Sequence, residues 1–277
     1  MCNSTTRNLI LGNYNTSAYN TKNNELRLRL PQAIEIKNTE IALNSLIVYY
    51  SWFNVNASLY ANNTFSIIFN GTTHNFTVPN GLYSISDLQG WLELQMSNLG
   101  LFMLDSFGEK VYFMRFDENP VYYSLTITCS VIAVPSGGTN PNSLTTGLTP
   151  QFVFNNVNFN KLIGFNVGTY PAAPAVSEFQ KNSDFTPQLS PVSTINVRCS
   201  LVRNDNLNSV PQVIYSSAVT TSSGLLIEKN PSTLSYFPAL DTMTTEIVCE
   251  LVDQNNRDVP MNDVAGFTIT LSLKTKN

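Results

Sequence analysis

The stretch Glu25-Leu26-Arg27-Leu28-Arg29-Leu30 alternates charged and leucine side chains without a break. A period of two residues is that of a β-strand, whose successive side chains point to opposite faces. The three leucines are therefore expected to face a core and the three charges to face water. Pro31 is expected to end this strand, because proline has no N–H to donate to a ladder.

Similar runs recur on both sides of this stretch. Alternation returns at 195–201 and 267–273, and the apolar run at 41–52 is typical of a strand buried on both faces. The runs at 65–69 and 75–78 flank Asn70-Gly71, a strong hairpin signal, although this connection looks longer than two residues. These runs therefore predict a chain made mainly of β-strands.

One segment has the helical period instead. Ser84 is placed as N-cap with Asp87 three residues later, apolar residues recur at i, i+3 and i+4, and Gly100 follows as a stop. We predict one amphipathic helix over about 84–99.

These patterns predict an all-β protein, a single jelly-roll β-sandwich with an inserted mainly-β (α+β) subdomain that contains the helix. Residues 25–59 joined to 186–277 supply about eight short strands, the number that a jelly roll needs. Residues 60–185 are the inserted subdomain and connecting loop. Residues 1–24 have no sustained period and are predicted to be a flexible N-terminal arm that a neighbouring subunit orders.

The composition disfavours catalysis and nucleic-acid binding. Charged residues make up 12% of the chain, against about 25% in an ordinary domain. There is one histidine, and the formal charge is −4, whereas direct binding to a genome needs clustered Lys and Arg. Neutral Asn, Ser and Thr supply the polar surface instead, which suits packing against other copies of the chain.

The four cysteines include no CxxC pair, so their spacing does not indicate a zinc site. Cys2 lies in the arm, and Cys129, Cys199 and Cys249 lie in strand-like runs. We expect buried, reduced thiols, with a disulfide between two of them as the alternative. The sequence shows no secretory signal and no apolar run long enough to span a membrane, so we expect a soluble protein made in a cytosol-like compartment.

We predict no catalytic, cofactor-binding or metal-binding residues. His74 is interpreted as an ordinary exposed loop residue, and Asp117-Glu118 as solvated acids in a turn. Residues 253–258 offer oxygen ligands at alternate positions but are interpreted as a hairpin turn rather than a calcium loop, because they lack the glycine and the closing glutamate of that loop and contain an arginine. The aromatic run 49–53 is interpreted as core or interface rather than as a platform that stacks on sugars or bases.

Four short motifs follow one another along most of the chain. They are Glu40-Ile41-Ala42-Leu43-Asn44-Ser45-Leu46 running into Tyr49-Tyr50-Ser51-Trp52; Pro79-Asn80-Gly81-Leu82-Tyr83-Ser84-Ile85 with Asp87-Leu88; Leu162-Ile163-Gly164-Phe165 with Gly168-Thr169-Tyr170-Pro171; and Thr186-Pro187-Gln188-Leu189-Ser190-Pro191, with Val197-Arg198-Cys199-Ser200-Leu201-Val202 and Leu251-Val252-Asp253-Gln254 after it. Together they resemble the penton, or minor capsid, proteins of virophages and of the Maverick/Polinton class of viral elements.

This resemblance implies a structural viral capsid protein. Members of this family are single jelly rolls that form homopentamers at icosahedral vertices, beside a double-jelly-roll major capsid protein. The implied location is the virion, which is assembled in the host cytoplasm. We expect the protein to bind no cofactor, to make no direct contact with nucleic acid and not to insert into a membrane. A host receptor is a further partner that this reading allows.

The alternative function is a carbohydrate- or receptor-binding β-sandwich of a viral fibre or lectin type. It follows from the jelly-roll pattern, which lectins share, and from loop aromatics such as Tyr60 and Tyr170. A third hypothesis is an enzyme with two acidic side chains that are paired in space.

Overall fold

The computed structural model of the protein describes residues 4–12, 22–203, 212–262 and 266–276. Antiparallel strands predominate, which confirms the all-β prediction. In chain order the elements are β1 (Ser4–Gly12), β2 (Glu25–Ile36), β3 (Thr39–Tyr49), β4 (Thr64–Phe69), β5 (Thr72–Thr77), α1 (Ile85–Asn98), β6 (Met103–Leu104), β7 (Lys110–Val111), β8 (Met114–Asn119), β9 (Ser124–Cys129), β10 (Gln151–Phe154), α2 (Val157–Ile163), β11 (Gly168–Tyr170), β12 (Phe179–Asn182), β13 (Thr194–Cys199), β14 (Val213–Ala218), β15 (Leu226–Lys229), β16 (Phe237–Pro238), β17 (Thr242–Val252) and β18 (Phe267–Lys276).

The chain divides into two units. Unit 1 comprises Met1–Trp52 and Val192–Asn277, and unit 2 comprises Phe53–Pro191. Each unit has its own hydrophobic cluster.

Unit 1 contains two sheets. Sheet A has the order β1-β18-β3-β15, with the short β16 also paired to β3, and sheet B has the order β14-β13-β17-β2. One hydrophobic core is shared by the two sheets, since it includes Leu43 and Leu271 from sheet A with Leu26, Val197 and Ile247 from sheet B. The sheets therefore face each other, and each has an inward and an outward face.

Strand β2 follows the predicted alternation but is longer than predicted. Leu26, Leu28 and Leu30 belong to or pack against the core of unit 1, as expected. The strand continues through Pro31 to Ile36. Because β2 is an edge strand paired only with β17, a proline there removes no hydrogen bond from a second neighbour.

The structure differs most from the sequence-based prediction at the N-terminus, where a flexible arm was expected. Residues 4–12 form β1, which pairs along its whole length with β18 of the same chain, and residues 13–21 lie outside the described residues. Leu11 is fully buried in the core of unit 1, and Leu9 packs against it. These two residues have the period of a strand, but the exposed Ile10 between them masks the alternation in the sequence.

Unit 2 is built around phenylalanine rings. Its larger sheets have the orders β11-β10-β4-β5 and β12-β9-β8. Phe65 of β4 stacks on Phe159 with ring centroids 4.9 Å apart and contacts Phe116 and Phe76 edge-on at 6.0 and 5.5 Å. Such pairs contribute about 0.5–1.5 kcal/mol each beyond the area that they bury.

The hairpin between β4 and β5 is tighter than predicted. Its connection is Asn70-Gly71 alone, because Thr72–His74 join the ladder. Both turn residues have positive φ, 50° and 75°, the combination required by a two-residue turn that matches the strand twist.

The predicted helix is confirmed as α1. The Ser84 hydroxyl accepts a hydrogen bond from the N–H of Asp87, and the Asp87 carboxylate accepts one from the N–H of Ser84. The short α2 was not predicted. Its available signals were Asn156, which caps the N-terminus, and Gly164, which ends the helix with φ 83°.

Leu11→Ala tests whether β1 is a structural strand. We expect this change to lower the free energy of unfolding by about 2–4 kcal/mol, because it opens a cavity in the shared core. Urea unfolding of full-length protein measures this, with the exposed Thr6→Ala on the same strand as control. Equal, small effects of the two changes would mean that β1 is not packed in solution.

Asp87→Ala tests the helix cap and its pH dependence. Hydrogen bonds from Ser84 hold the pKa of the Asp87 carboxyl below its ordinary value. A group with a lowered folded-state pKa stabilises the fold above its unfolded-state pKa, and the contribution disappears as the pH falls through the folded-state pKa. We expect a loss of about 1 kcal/mol at pH 7 that vanishes in strong acid, measured by urea unfolding across pH. A loss that does not change with pH would contradict this explanation.

Candidate interaction surface

The single histidine lies in a strand. His74 is half-buried in β5 opposite Ile67, not in the loop predicted for it. The structure places it there because the Asn70-Gly71 turn is short. Among the described residues, no hydrogen bond joins the His74 side chain to a nucleophile or a carboxylate.

The acidic residues noted in the sequence do not converge. Asp117 and Glu118 lie next to each other in strand β8 and not in the turn predicted for them. Their side chains therefore point to opposite faces of the strand. Asp253 is buried, and its carboxylate accepts hydrogen bonds from the N–H groups of Asn255 and Arg257 and from the Arg257 side chain at 2.8 Å. Protein donors occupy the oxygens that a cation would need, so residues 253–258 form a turn.

The aromatic residues singled out in the sequence are mostly packed. Tyr50 and Trp52 are buried in the core of unit 1, with ring centroids 4.1 Å apart. Tyr170 packs between Phe154 and Phe165, and its hydroxyl donates to the carbonyl of Asn166. Tyr60 is half-buried. Neither Tyr60 nor Tyr170 therefore offers the open ring face that a sugar platform needs.

The outward face of sheet B carries an ionic network. Glu246 accepts from Arg27 at 2.7 Å and from Arg29 at 3.4 Å, and Arg198 lies 3.4 Å from Glu250. A hydrogen bond with Glu25 raises the pKa of Arg27 further. Exposed ion pairs of this kind add little to stability, but covering the whole set would require its desolvation.

The outward face of sheet A is different. Ile47 and Tyr49 of β3 are 37% and 44% exposed, and Leu226 of β15, directly opposite Tyr49, is 43% exposed. Thr268 of β18 lies opposite Ile47 on the other side of β3. We call Ile47, Tyr49 and Leu226 the sheet A patch. It presents apolar side chains on adjacent strands, and the exposed Glu228 of β15 lies directly opposite Ile47.

Unit 2 exposes apolar side chains at its turns. Tyr122 and Tyr123, at the end of the β8–β9 hairpin, are 70% and 77% exposed, and Phe107 in another turn is 89% exposed. Beside the hairpin lies a concave cavity of about 280 Å³, lined by Ile85, Glu118, Asn119, Pro120, Tyr123, Ser124, Thr186, Pro187 and Leu189. The exposure of Tyr122 and Tyr123 was not predicted, because nothing in the local sequence distinguishes an exposed Tyr-Tyr pair from a buried one.

Within the described ranges, no three His, Cys, Asp or Glu side chains come together as a metal centre would require. Among the helices of the same ranges, none is long and apolar enough to cross a bilayer.

Comparison with known proteins gave similarity to solved structures only. No protein-family model matches the chain, and no curated protein does. The mavirus penton protein is similar with a TM-score of 0.49 and 11% identity, over 98% of this chain and 99% of that one. A chain in the cryo-EM structure of the Sputnik virophage is similar with a TM-score of 0.43 and 11% identity, over 99% and 98%.

Proposed function

We propose that this protein is a structural subunit of a viral capsid, and in particular a penton that forms homopentamers at icosahedral vertices. The exposed apolar side chains of the sheet A patch are the observation that carries the structural role. The pentamer, the vertex and the double-jelly-roll major capsid partner rest on the four sequence motifs.

We infer that unit 1 is a jelly roll. Its strands, apart from the two-residue β16, form two antiparallel sheets of four, the arrangement of that fold. Successive strands belong to opposite sheets except at β13–β14 and β15–β16. Unit 2 is then an insertion between β3 and β13, a modified version of the predicted division at 60–185.

The two outward faces of unit 1 favour assembly through one side. A ring needs heterologous contacts, in which each subunit offers two different surfaces. Cores of interfaces are depleted of charge and enriched in aromatic residues, which describes the sheet A patch and not the ionic network on sheet B. We therefore assign the patch to one side of the contact between subunits, within a virion assembled in the host cytoplasm.

The oligomeric state tests the proposal. Purified protein, alone or with its shell partner, is expected to form a ring of five 30.7-kDa chains. Native mass spectrometry and negative-stain images measure this. Monomers or trimers in both conditions would contradict the penton assignment.

Tyr49→Asp tests the assigned surface. A carboxylate at the centre of the patch must lose its hydration when the interface forms, so we expect assembly at least about tenfold weaker. Thr242→Asp, which adds the same charge at an exposed position of sheet B, is the matched control. Circular dichroism confirms that both variants fold, and equal assembly by both would remove the patch from the interface.

A second candidate function is binding of carbohydrate or a glycosylated receptor by unit 2. Tyr122 and Tyr123 favour it, because exposed aromatic faces stack on sugar rings and the adjoining cavity offers Glu118 and Asn119 as hydrogen-bonding groups.

Glycan-array binding by the full chain tests this candidate. We expect a defined sugar to bind and the double change Tyr122→Ala, Tyr123→Ala to weaken it at least about tenfold, as the loss of stacked rings would. Phe107→Ala removes a still more exposed ring from another turn and should leave binding unchanged. An array without signal would eliminate the carbohydrate function.

A further inference from the structure

Two of the cysteines in unit 1 lie directly opposite each other. Cys199 of β13 and Cys249 of β17 are partners in the antiparallel register of sheet B. Both side chains are fully buried, and both are free thiols. They are separated by 50 positions in sequence, so only the sheet brings them together.

The backbone hydrogen bonds define which type of pair they form. The N–H of Cys199 donates to Gln212 on the other side of β13, and the N–H of Ser200 donates to Val248. Along β17, the N–H of Leu251 points away from β13 and donates to Asn24. Cys249 has the same orientation as Leu251, so Cys199 and Cys249 are a non-hydrogen-bonded pair.

This type of pair suits a disulfide. Residues opposite each other in a non-hydrogen-bonded pair have Cα atoms about 4.5 Å apart and the closer side chains. Disulfides span Cα separations of about 4.4–6.8 Å, so the bond fits with little movement but lies at the short end of that range. A bond at such a limit is more easily reduced than an unstrained one.

We propose that Cys199 and Cys249 are a reversible cross-linking pair that forms an intrachain disulfide between β13 and β17 when the protein meets a small-molecule disulfide. One thiolate attacks the reagent, forms a mixed disulfide and releases one reduced thiol. The second thiolate attacks the protein sulfur of that mixed disulfide and releases the other thiol. The two cysteines lose two protons and two electrons, and the reagent is reduced to two thiols.

Burial controls when this reaction occurs. The neighbouring Cys199 thiol and burial raise the pKa of the Cys249 thiol, and both side chains are closed off from solvent in the sheet. The reagent therefore reacts during folding or when β13 and β17 separate, and the closed, reduced sheet reacts slowly. The proposal is independent of the capsid function, because it concerns a single chain.

Refolding of the full chain with oxidised and reduced glutathione tests the pair. We expect the intact mass to show the loss of two hydrogen atoms, and non-reducing proteolysis to give one cross-linked peptide that contains Cys199 and Cys249. The cross-link closes the loop from residue 199 to residue 249, which should raise the thermal midpoint by roughly 10 °C, reversed by dithiothreitol.

Cys129 provides the matched control. It is buried in unit 2, burial raises its pKa to about 12, and its partners in register are Met114 and Phe179. Cys129→Ser should keep the cross-link, whereas Cys199→Ala and Cys249→Ala should each abolish it. If either alanine variant fails to fold, the peptide map of the unaltered chain still shows whether Cys199 and Cys249 are cross-linked. Four free thiols after refolding, or a bond that includes Cys2 or Cys129 or joins two chains, would overturn the proposal.

Discussion

Unit 1 depends on the burial of one face of sheet A against one face of sheet B. Alternate side chains from both sheets enter a single core, in which Leu26, Val197 and Leu271 are completely or almost completely removed from water. A slip of one residue in any strand would turn its apolar set outward, so this burial fixes the register as well as the fold. The opposed cysteines and the outward-facing charges take their positions from that same register.

The outward faces are free of this packing constraint, and they differ in chemistry. Arg27, Glu246 and their neighbours keep the face of sheet B hydrated, whereas Tyr49 and Leu226 leave apolar area on the face of sheet A. In a chain with so few charges, this distribution is a physical basis for preferring one side of the sandwich as a contact surface. Unit 2 has a separate phenylalanine core, so the inserted residues make no demand on the shared core of the two sheets.

Some features could be predicted because their signals are local. The alternation at 25–30 places leucines and charges on opposite faces wherever the strand lies, and the Ser84–Asp87 cap closes within one turn of helix. Other features have no local signal. The strand at 4–12 is stable because it pairs with β18, more than 200 positions away, and because Leu11 enters the shared core. Pro31 is tolerated because its strand lies at an edge.

The sequence by itself therefore determined the strand-rich class, the single long helix and the scarcity of groups able to carry out acid–base chemistry. Only the tertiary structure decided which strands are neighbours, which aromatic rings remain exposed and which cysteines meet. The reason is that periodicity records which face of a strand is buried, while pairing between distant strands depends on contacts that no short segment contains.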